Sequence, residues 1–288
     1  MKHLILGGTG TLGTELTKQI LSRFPKDTIT IFSRSEHLQK DMCERFHYHP
    51  RLSFVIGDIR NPSSLEREIS KGYQSIFHVA ALKHVPIMEA NPEESVYTNV
   101  LPTITLADLS VKYKVKFFSF SSTDKACYPI NAYGMSKALS ERILTNRNYT
   151  QDVTNFKVFR WANVTGSKGS AIPVFISKIK SGQVIDVTDK EMTRFWISIS
   201  DAAKFMLDNF KRKVHAEAIV PEMGWASVLD VIDCLADLLK RPDTKFHVTG
   251  IRPGEKLHET LYPGMTSGTA EARKLTRDEL KGLLRPFI

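Results

Sequence analysis

Apolar residues gather in short runs through the first half of the chain: His3–Leu6, Thr28–Phe32, Leu52–Ile56, Ser75–His78, Val115–Phe120 and Phe156–Arg160. Between these runs the apolar positions take helical spacing, as over Pro92–Tyr113 and Tyr133–Asn146. Strand-like runs alternating with helical ones predict βα units and an α/β fold with a parallel, doubly wound sheet. After about Ala162 the alternation weakens. Residues 166–169 read as a loop, Pro173–Ser181 as a helix and Trp225–Leu239 as a later helix. Thr276-x-x-Glu279 resembles a capping box and predicts a short closing helix. The expected organisation is a core over 1–162 and a smaller lobe over 163–288, interleaved with the last strands of the core. No internal repeat or low-complexity segment is visible.

Composition changes this picture little. A chain of 288 residues holds one large α/β domain and a smaller lobe. Apolar content of 42% and charged content of 25% are ordinary for a soluble globular protein. No apolar run approaches the roughly 20 residues a membrane span needs, so no membrane role is expected. The apolar sequel to Met1-Lys2-His3 is too short for a signal peptide. The formal charge of +9 raises nucleic-acid binding as a function. The basic residues are scattered, however, without a Lys/Arg run interleaved with aromatics, so no nucleic-acid partner is expected. An anionic small substrate and an anionic cofactor account for part of the excess. Cys43, Cys127 and Cys234 show neither metal spacing nor a disulfide framework, which points to a reducing cytoplasm. His47-x-His49 near Cys43 reads as a polar helix end, and no metal site is expected.

The first strand runs straight into Gly7-Gly8-Thr9-Gly10-Thr11-Leu12-Gly13, and a helical pattern follows to about Phe24. Strand, glycine loop and helix in that order are the context of a Rossmann dinucleotide site. The glycines let the backbone approach a pyrophosphate, and the helix N-terminus supplies N–H groups and a favourable dipole. The second strand ends in Ser33-Arg34-Ser35, with no carboxylate before Glu36. A hydroxyl and a guanidinium suit a 2′-phosphate, so NADP is the expected cofactor. Asp58 and Ile59 follow the third strand, where an Asp commonly meets the adenine. Ala80-Ala81 ends the fourth, where small residues let the cofactor pass close.

The fifth strand leads into Ser121-Ser122-Thr123-Asp124-Lys125-Ala126, and Tyr133-Gly134-Met135-Ser136-Lys137 follows. Tyr133 and Lys137, four residues apart, share a helix face. The Lys137 ammonium is expected to lower the Tyr133 phenol and make it a base near neutral pH. Thr123, Tyr133 and Lys137 are thus candidates for alcohol oxidation, with Tyr133 and Lys137 also facing the cofactor. Asp124-Lys125 is a second acid/base pair that simple oxidation does not need, and it points to elimination.

These motifs resemble the extended short-chain dehydrogenases/reductases. More narrowly, the chain is similar to the 5-inverting UDP-N-acetylglucosamine 4,6-dehydratases that begin pseudaminic acid and related deoxysugar pathways. The resemblance spans roughly residues 3 to 262. It rests on Phe32-Ser33-Arg34, on Ala80-Ala81-Leu82-Lys83-His84-Val85-Pro86, on Ser122-Thr123-Asp124-Lys125-Ala126 and on Tyr133-Gly134. Downstream it rests on Asn163-Val164-Thr165-Gly166-Ser167-Lys168-Gly169-Ser170, Met192-Thr193-Arg194-Phe195-Trp196 and Ile251-Arg252-Pro253-Gly254-Glu255-Lys256-Leu257-His258-Glu259. Asp-Lys after Ser-Thr is the specific part, since retaining nucleotide-sugar dehydratases resemble each other in carrying Asp-Glu there. Departures are Trp161-Ala162 where members often have Tyr-Gly, Cys127-Tyr128, and a shorter tail. They leave sugar preference and subunit assembly open.

The resemblance implies a UDP-sugar substrate and a homo-oligomer. Tyr133 would take the proton of the sugar 4-hydroxyl, and the resulting ketone would acidify the C5 hydrogen. Lys125 is the candidate base at C5, provided burial or nearby positive charge lowers its pKa. Asp124, held protonated, would donate to the leaving 6-hydroxyl. Lys83, Asn163, Arg194 and Arg252 offer donors to sugar and diphosphate oxygens, and Glu255 could accept from the uridine ribose. Two other readings stay open: a nucleotide-sugar epimerase, which has no use for Asp124-Lys125, and a non-catalytic NADP-binding scaffold.

Overall fold

The computed structural model describes residues 1–167, 169–213 and 218–288; Lys168, quoted in the motif above, lies outside the described residues. The chain opens with β1 (Lys2–Leu6), α1 (Thr11–Arg23), β2 (Thr28–Ser33), α2 (Glu36–Arg45), β3 (Leu52–Ile56), α3 (Pro62–Ile69) and β4 (Ser75–His78). Then come α4 (Val85–Ala90), α5 (Pro92–Ser95), α6 (Leu101–Lys112), β5 (Phe117–Thr123), α7 (Ala132–Thr150) and β6 (Asn155–Trp161). The six strands form one sheet in the order β3-β2-β1-β4-β5-β6, and each pairing is parallel. The expected doubly wound sheet is borne out. Strand order reverses between β1 and β4, and ligands of such sheets bind beyond the carboxyl ends of the strands at that switch. The glycine loop leaves β1 there, and Ala80-Ala81 leaves β4.

Alternation along the strands fills both faces. Leu4, Leu6, Phe32, Ile76 and Phe120 pack under α3, α6 and α7 through Leu65, Leu106 and Leu144. Ile5, Ile31 and Phe77 point the other way, onto Leu16 and Ile20 of α1. That second face is completed from beyond residue 162, by Ala202, Met206 and Phe210 in and just after α9 (Ile199–Asn209). Ile219 adds one parallel bridge beside Phe159 of β6. The remaining elements are β7 (Asn163–Thr165), α8 (Ala171–Lys180), β8 (Ile185–Val187), β9 (Thr193–Ser198), β10 (Gly224–Ser227), α10 (Val228–Leu238), β11 (Phe246–Val248), β12 (Thr260–Tyr262), β13 (Met265–Thr266) and α11 (Arg277–Leu284). A small sheet, β10-β9-β7, carries a separate apolar core of Ile172, Ile176, Val231, Leu235, Leu280 and Leu284.

Three elements differ from expectation. Trp225 is not helical: Gly224–Ser227 pairs antiparallel with β9, and the helix begins only at Val228. Ser227 accepts from the Asp230 N–H while Asp230 accepts from the Ser227 N–H, and this reciprocal cap fixes the boundary. The helical stretch Pro92–Tyr113 is interrupted by a π-turn, Val96–Val100, just before Pro102, which has no N–H to continue a regular ladder. The fifth strand starts later and ends later than expected, at Phe117 and Thr123, so Ser121–Thr123 are strand residues. The closing helix is α11, and its Thr276/Glu279 capping box is present.

Candidate active site

A cleft of about 420 Å³ opens at the switch point. Its floor begins with the glycine loop. Gly7 has φ +79, and a Cβ there would lie 2.7 Å from the Ala80 backbone, so β1 and β4 can approach only over a glycine. Gly10 caps α1 without a side chain, so the backbone of the first turn can come close to the cleft. Gly7, Gly10, Thr11, Leu12 and Gly13 line it, together with Ala81. An uncapped helix start behind a glycine cradle fits a dinucleotide pyrophosphate.

The opposite wall is built by β5 and α7. Thr123 Oγ1 accepts from the Lys125 N–H at 3.4 Å, turning the chain into a single 3₁₀ turn, Asp124–Ala126. Asn131 caps α7, its Oδ1 accepting from the Gly134 N–H at 2.7 Å and its Nδ2 donating to the Gly254 carbonyl at 2.7 Å. A Cβ on Gly134 would lie 2.2 Å from the Lys125 carbonyl, so this glycine lets α7 seat directly on the turn. Thr123, Asp124, Lys125, Tyr133 and Lys137 are thereby brought together on one wall. Asn99, in the π-turn, accepts from the Leu82 N–H, donates to the Leu82 carbonyl and reaches Ser136 of α7 at 3.1 Å. It fixes the segment carrying Lys83, which also lines the cleft, as does Asn163.

The electrostatics differ from expectation at three residues. Burial pushes the Tyr133 phenol up to about 12, opposed by the Lys125 charge and a hydrogen bond with Thr123. The expected helper, Lys137, is instead buried with Nζ 3.9 Å from the Phe120 ring centre, and burial lowers it to about 7. Lys125 departs from expectation in the other direction. Its Nζ lies 3.1 Å from Asp124 Oδ1 and 3.1 Å from Glu259 Oε1. Burial would lower its pKa, but the two carboxylates outweigh burial and hold it above the ordinary lysine value. The condition set for Lys125 as a base, a lowered pKa, is therefore not met in the resting site. Asp124 is fully buried; Oδ1 accepts from Thr123 Oγ1 and Lys125 Nζ, while Oδ2 has no hydrogen-bond partner among the described residues.

Other predicted residues lie off the cleft wall. Arg194 is buried, and its guanidinium donates to the carbonyls of Thr193, Lys256 and Leu257. It clamps that backbone, and among the described residues it does not line the cleft. Arg252 is exposed on the loop held by Asn131, and Glu255 Oε2 is buried without a hydrogen-bond partner. Thr9 sits in the glycine loop, half-buried, and Ala80 backs Gly7. Arg34 is exposed, 3.9 Å from Asp58, which is engaged more closely by Arg60 at 3.0 Å. The buried Ser33 Oγ accepts from Gln39 Nε2 at 3.0 Å. Ile59 is buried beside Asp58. The sequence reading passed over Glu259 and His84 as site residues, although both stand within the quoted motifs. His84 lines the cleft.

Residues 3–277 match the family described as polysaccharide biosynthesis protein. The chain belongs to that family. Within it, the UDP-N-acetylglucosamine 4,6-dehydratase (inverting) of Campylobacter jejuni subsp. jejuni serotype O:2 is 38% identical over 261 residues, 90% of this chain and 76% of the relative. The family resemblance read from the motifs is thus borne out. A UDP-glucose 4-epimerase of Rickettsia bellii is also 38% identical, over 277 residues, 93% of this chain and 79% of the relative. Among solved structures, Pen from Bacillus thuringiensis superposes with a TM-score of 0.89 at 32% identity, covering 99% of this chain and 98% of its own. No helix among the described residues of this family member is long and apolar enough to cross a membrane.

Proposed function

We propose that the chain is an NADP-dependent UDP-N-acetylglucosamine 4,6-dehydratase that inverts C5. The observation that carries this reading is the buried Asp124–Lys125 pair on the cleft wall beside Tyr133. An epimerase removes and returns hydrogen only at C4 and has no work for a second acid/base pair. The inverting Campylobacter relative supports the same choice. The Rickettsia relatives favour the epimerase as the second reading.

The glycine loop and α1 would hold the dinucleotide pyrophosphate, and Ser33 and Arg34 the 2′-phosphate. When bound, the nicotinamide supplies the oxidising and reducing equivalents of the cycle. Tyr133 takes the 4-hydroxyl proton, with Thr123 as its hydrogen-bond partner and Lys137 behind it on the same helix. The 4-ketone acidifies C5. Lys125 takes the C5 proton, once it has shed its own, and Asp124, when it carries a proton on Oδ2, delivers it to the departing 6-hydroxyl while Oδ1 keeps its contact with Lys125. Lys83 and Asn163, which line the same cleft, would contact the sugar or diphosphate. Arg252 and Glu255 would serve the UDP end from the loop tied to Asn131.

The chain works as a homo-oligomer in a reducing cytoplasm. Exposed Val96, Tyr97 and Leu101 along the α5–α6 segment and Met135 and Leu139 on α7 support the first, and sedimentation tests it. The free thiols of Cys43, Cys127 and Cys234 support the second.

The deciding experiment is incubation with UDP-N-acetylglucosamine and NADP in deuterated water, followed by NMR of the sugar. Dehydration gives a 6-deoxy-4-keto product with deuterium at C5. A 4-epimer without a 6-deoxy signal makes the chain an epimerase, and an unchanged sugar makes it a binding scaffold.

A further inference from the structure

A base must be neutral before it can act, yet Lys125 Nζ is held between two buried carboxylates at 3.1 Å each. Some group has to relieve it of a proton. Asp124 Oδ1 already accepts from Thr123 and Lys125, and Asp124 is engaged with the 6-hydroxyl in the mechanism above. Glu259 is the group that remains. It is 2% exposed and does not line the cleft, so its carboxyl acts only through Lys125. Its Oε1 meets Nζ; its Oε2 makes no hydrogen bond among the described residues and lies 3.8 Å from Lys256 Nζ. The backbone beneath it is fixed, with its N–H donating to Ser267 Oγ at 3.0 Å and its carbonyl accepting from the Ser267 N–H at 2.8 Å.

We infer that Glu259 is the positioning residue of the C5 step, holding Lys125 Nζ and accepting a proton from it so that the neutral amine can take the proton at C5. The inference rests on the dehydratase reading. One N–H bond of the ammonium breaks and an O–H bond forms on Glu259, leaving an amine and a carboxylic acid. The amine lone pair then forms an N–H bond with the C5 hydrogen. The C–H electron pair passes into the carbon adjacent to the 4-ketone. Lys125 is an ammonium again, and the extra proton on the pair balances the one C5 later takes from the opposite face. The charged and titratable groups facing Lys125 are Asp124 on its own turn, Tyr133 from α7, Arg194 from β9, and Glu259 with Lys256 behind it.

The test is Glu259→Gln, which keeps the shape and removes the charge, with Glu259→Asp beside it. C5 deuterium exchange, read by NMR, should fall about 100-fold at neutral pH, the lower end of the range for a positioned proton acceptor. C4 oxidation, read from nicotinamide absorbance, should stay at the parent rate. Exchange in Glu259→Gln should recover as pH rises, because Lys125 then sheds its proton to solvent, while the parent stays flat over the same range. Glu259→Asp should restore part of the loss. Exchange at the parent rate in Glu259→Gln, or a loss of both steps at every pH, overturns the inference. A second measurement needs no turnover: the Lys125 signal in ¹³C-lysine NMR, assigned through Lys125→Arg, should titrate lower in Glu259→Gln. An unchanged titration also overturns the inference. If the parent itself neither oxidises C4 nor exchanges C5, the dehydratase reading fails, and the titration alone still decides whether Glu259 governs Lys125.

Discussion

Lys125 and Lys137 flank Tyr133, one on the turn after β5 and the other on α7, and the cleft treats them in opposite ways. Lys125 lies between Asp124 and Glu259 and is held as an ammonium. Lys137 is 2% exposed, has an aromatic ring under its Nζ and is lowered to about 7. Burial penalises the charge of both; at Lys125 two carboxylates outweigh it, whereas at Lys137 the attraction of Glu141 does not. The lesson is that charge in this cleft is assigned by neighbours, not by residue type. The lysine helically paired with Tyr133 is the one that surrenders its charge easily, and the charge that Tyr133 feels comes from the lysine on the other side.

The largest effect that can break this comparison is Lys125→Ala. If Lys125 is the base, C5 deuterium exchange should fall by about 10²–10⁴-fold, while C4 oxidation slows less, because Tyr133 stays in place and loses only the Lys125 charge that opposes its burial. NMR of the sugar and nicotinamide absorbance read the two steps separately. Exchange at the parent rate would place the base elsewhere and reduce the Lys125 cluster to a structural one.

Lys137→Met should move function and stability in opposite directions. Turnover should fall, since Met cannot take up and pass on a proton behind Tyr133 as Lys137, lowered to about 7, can. The fold should gain, because the native chain no longer has to bury a charge. The sign follows from the lowered pKa: between about 7 and the ordinary value of 10.5 the unfolded chain holds a proton on Lys137 that the native chain does not, so parent stability rises with pH across that window. The advantage of Lys137→Met should therefore be greatest below pH 7, on the order of 2–4 kcal/mol, and shrink towards pH 10. Urea unfolding of both proteins at pH 6 and pH 9 measures it. An advantage that does not change with pH would mean that Lys137 is equally charged in both states.

Much of this arrangement is legible along the chain and some of it is not. Strand runs, the glycine loop and the Tyr133–Lys137 spacing are local patterns, so the sheet and one wall of the cleft follow from them. The Ser227 and Thr276 caps act over three residues, yet the Ser227 cap was missed because the apolar run from Trp225 looks helical through it. Lys125 could not be read because its second partner, Glu259, is distant in sequence and arrives only when the segment before β12 docks on the turn. Arg194 misleads for a related reason. An arginine in a motif suggests an anion, but three of its five N–H groups already donate to backbone carbonyls at 2.7, 3.0 and 2.9 Å. Burial and long-range pairing decide the charges, and neither has a local signature.

Arg34 provides the mildest test, a cation that burial hardly touches. It is 61% exposed, and the carboxylate it approaches, Asp58 at 3.9 Å, is bound more tightly by Arg60. Such a surface pair adds little stability, so Arg34→Ala should leave thermal unfolding within about 0.5 kcal/mol of the parent. Its worth should appear only against a ligand. If Arg34 meets the 2′-phosphate, the variant loses a charge-assisted contact worth about 1.5–3 kcal/mol, which is roughly 10- to 150-fold in NADP affinity. NAD carries a hydroxyl in that place, so its affinity should change little. Calorimetry with both dinucleotides gives the answer. A selective loss for NADP makes Arg34 the cofactor-choosing cation and extends the comparison to a third setting, in which a solvent-facing charge waits for its anion instead of being assigned one. Equal losses for NADP and NAD would mean that Arg34 shapes the end of β2 for either cofactor, and that the 2′-phosphate is read elsewhere or not at all.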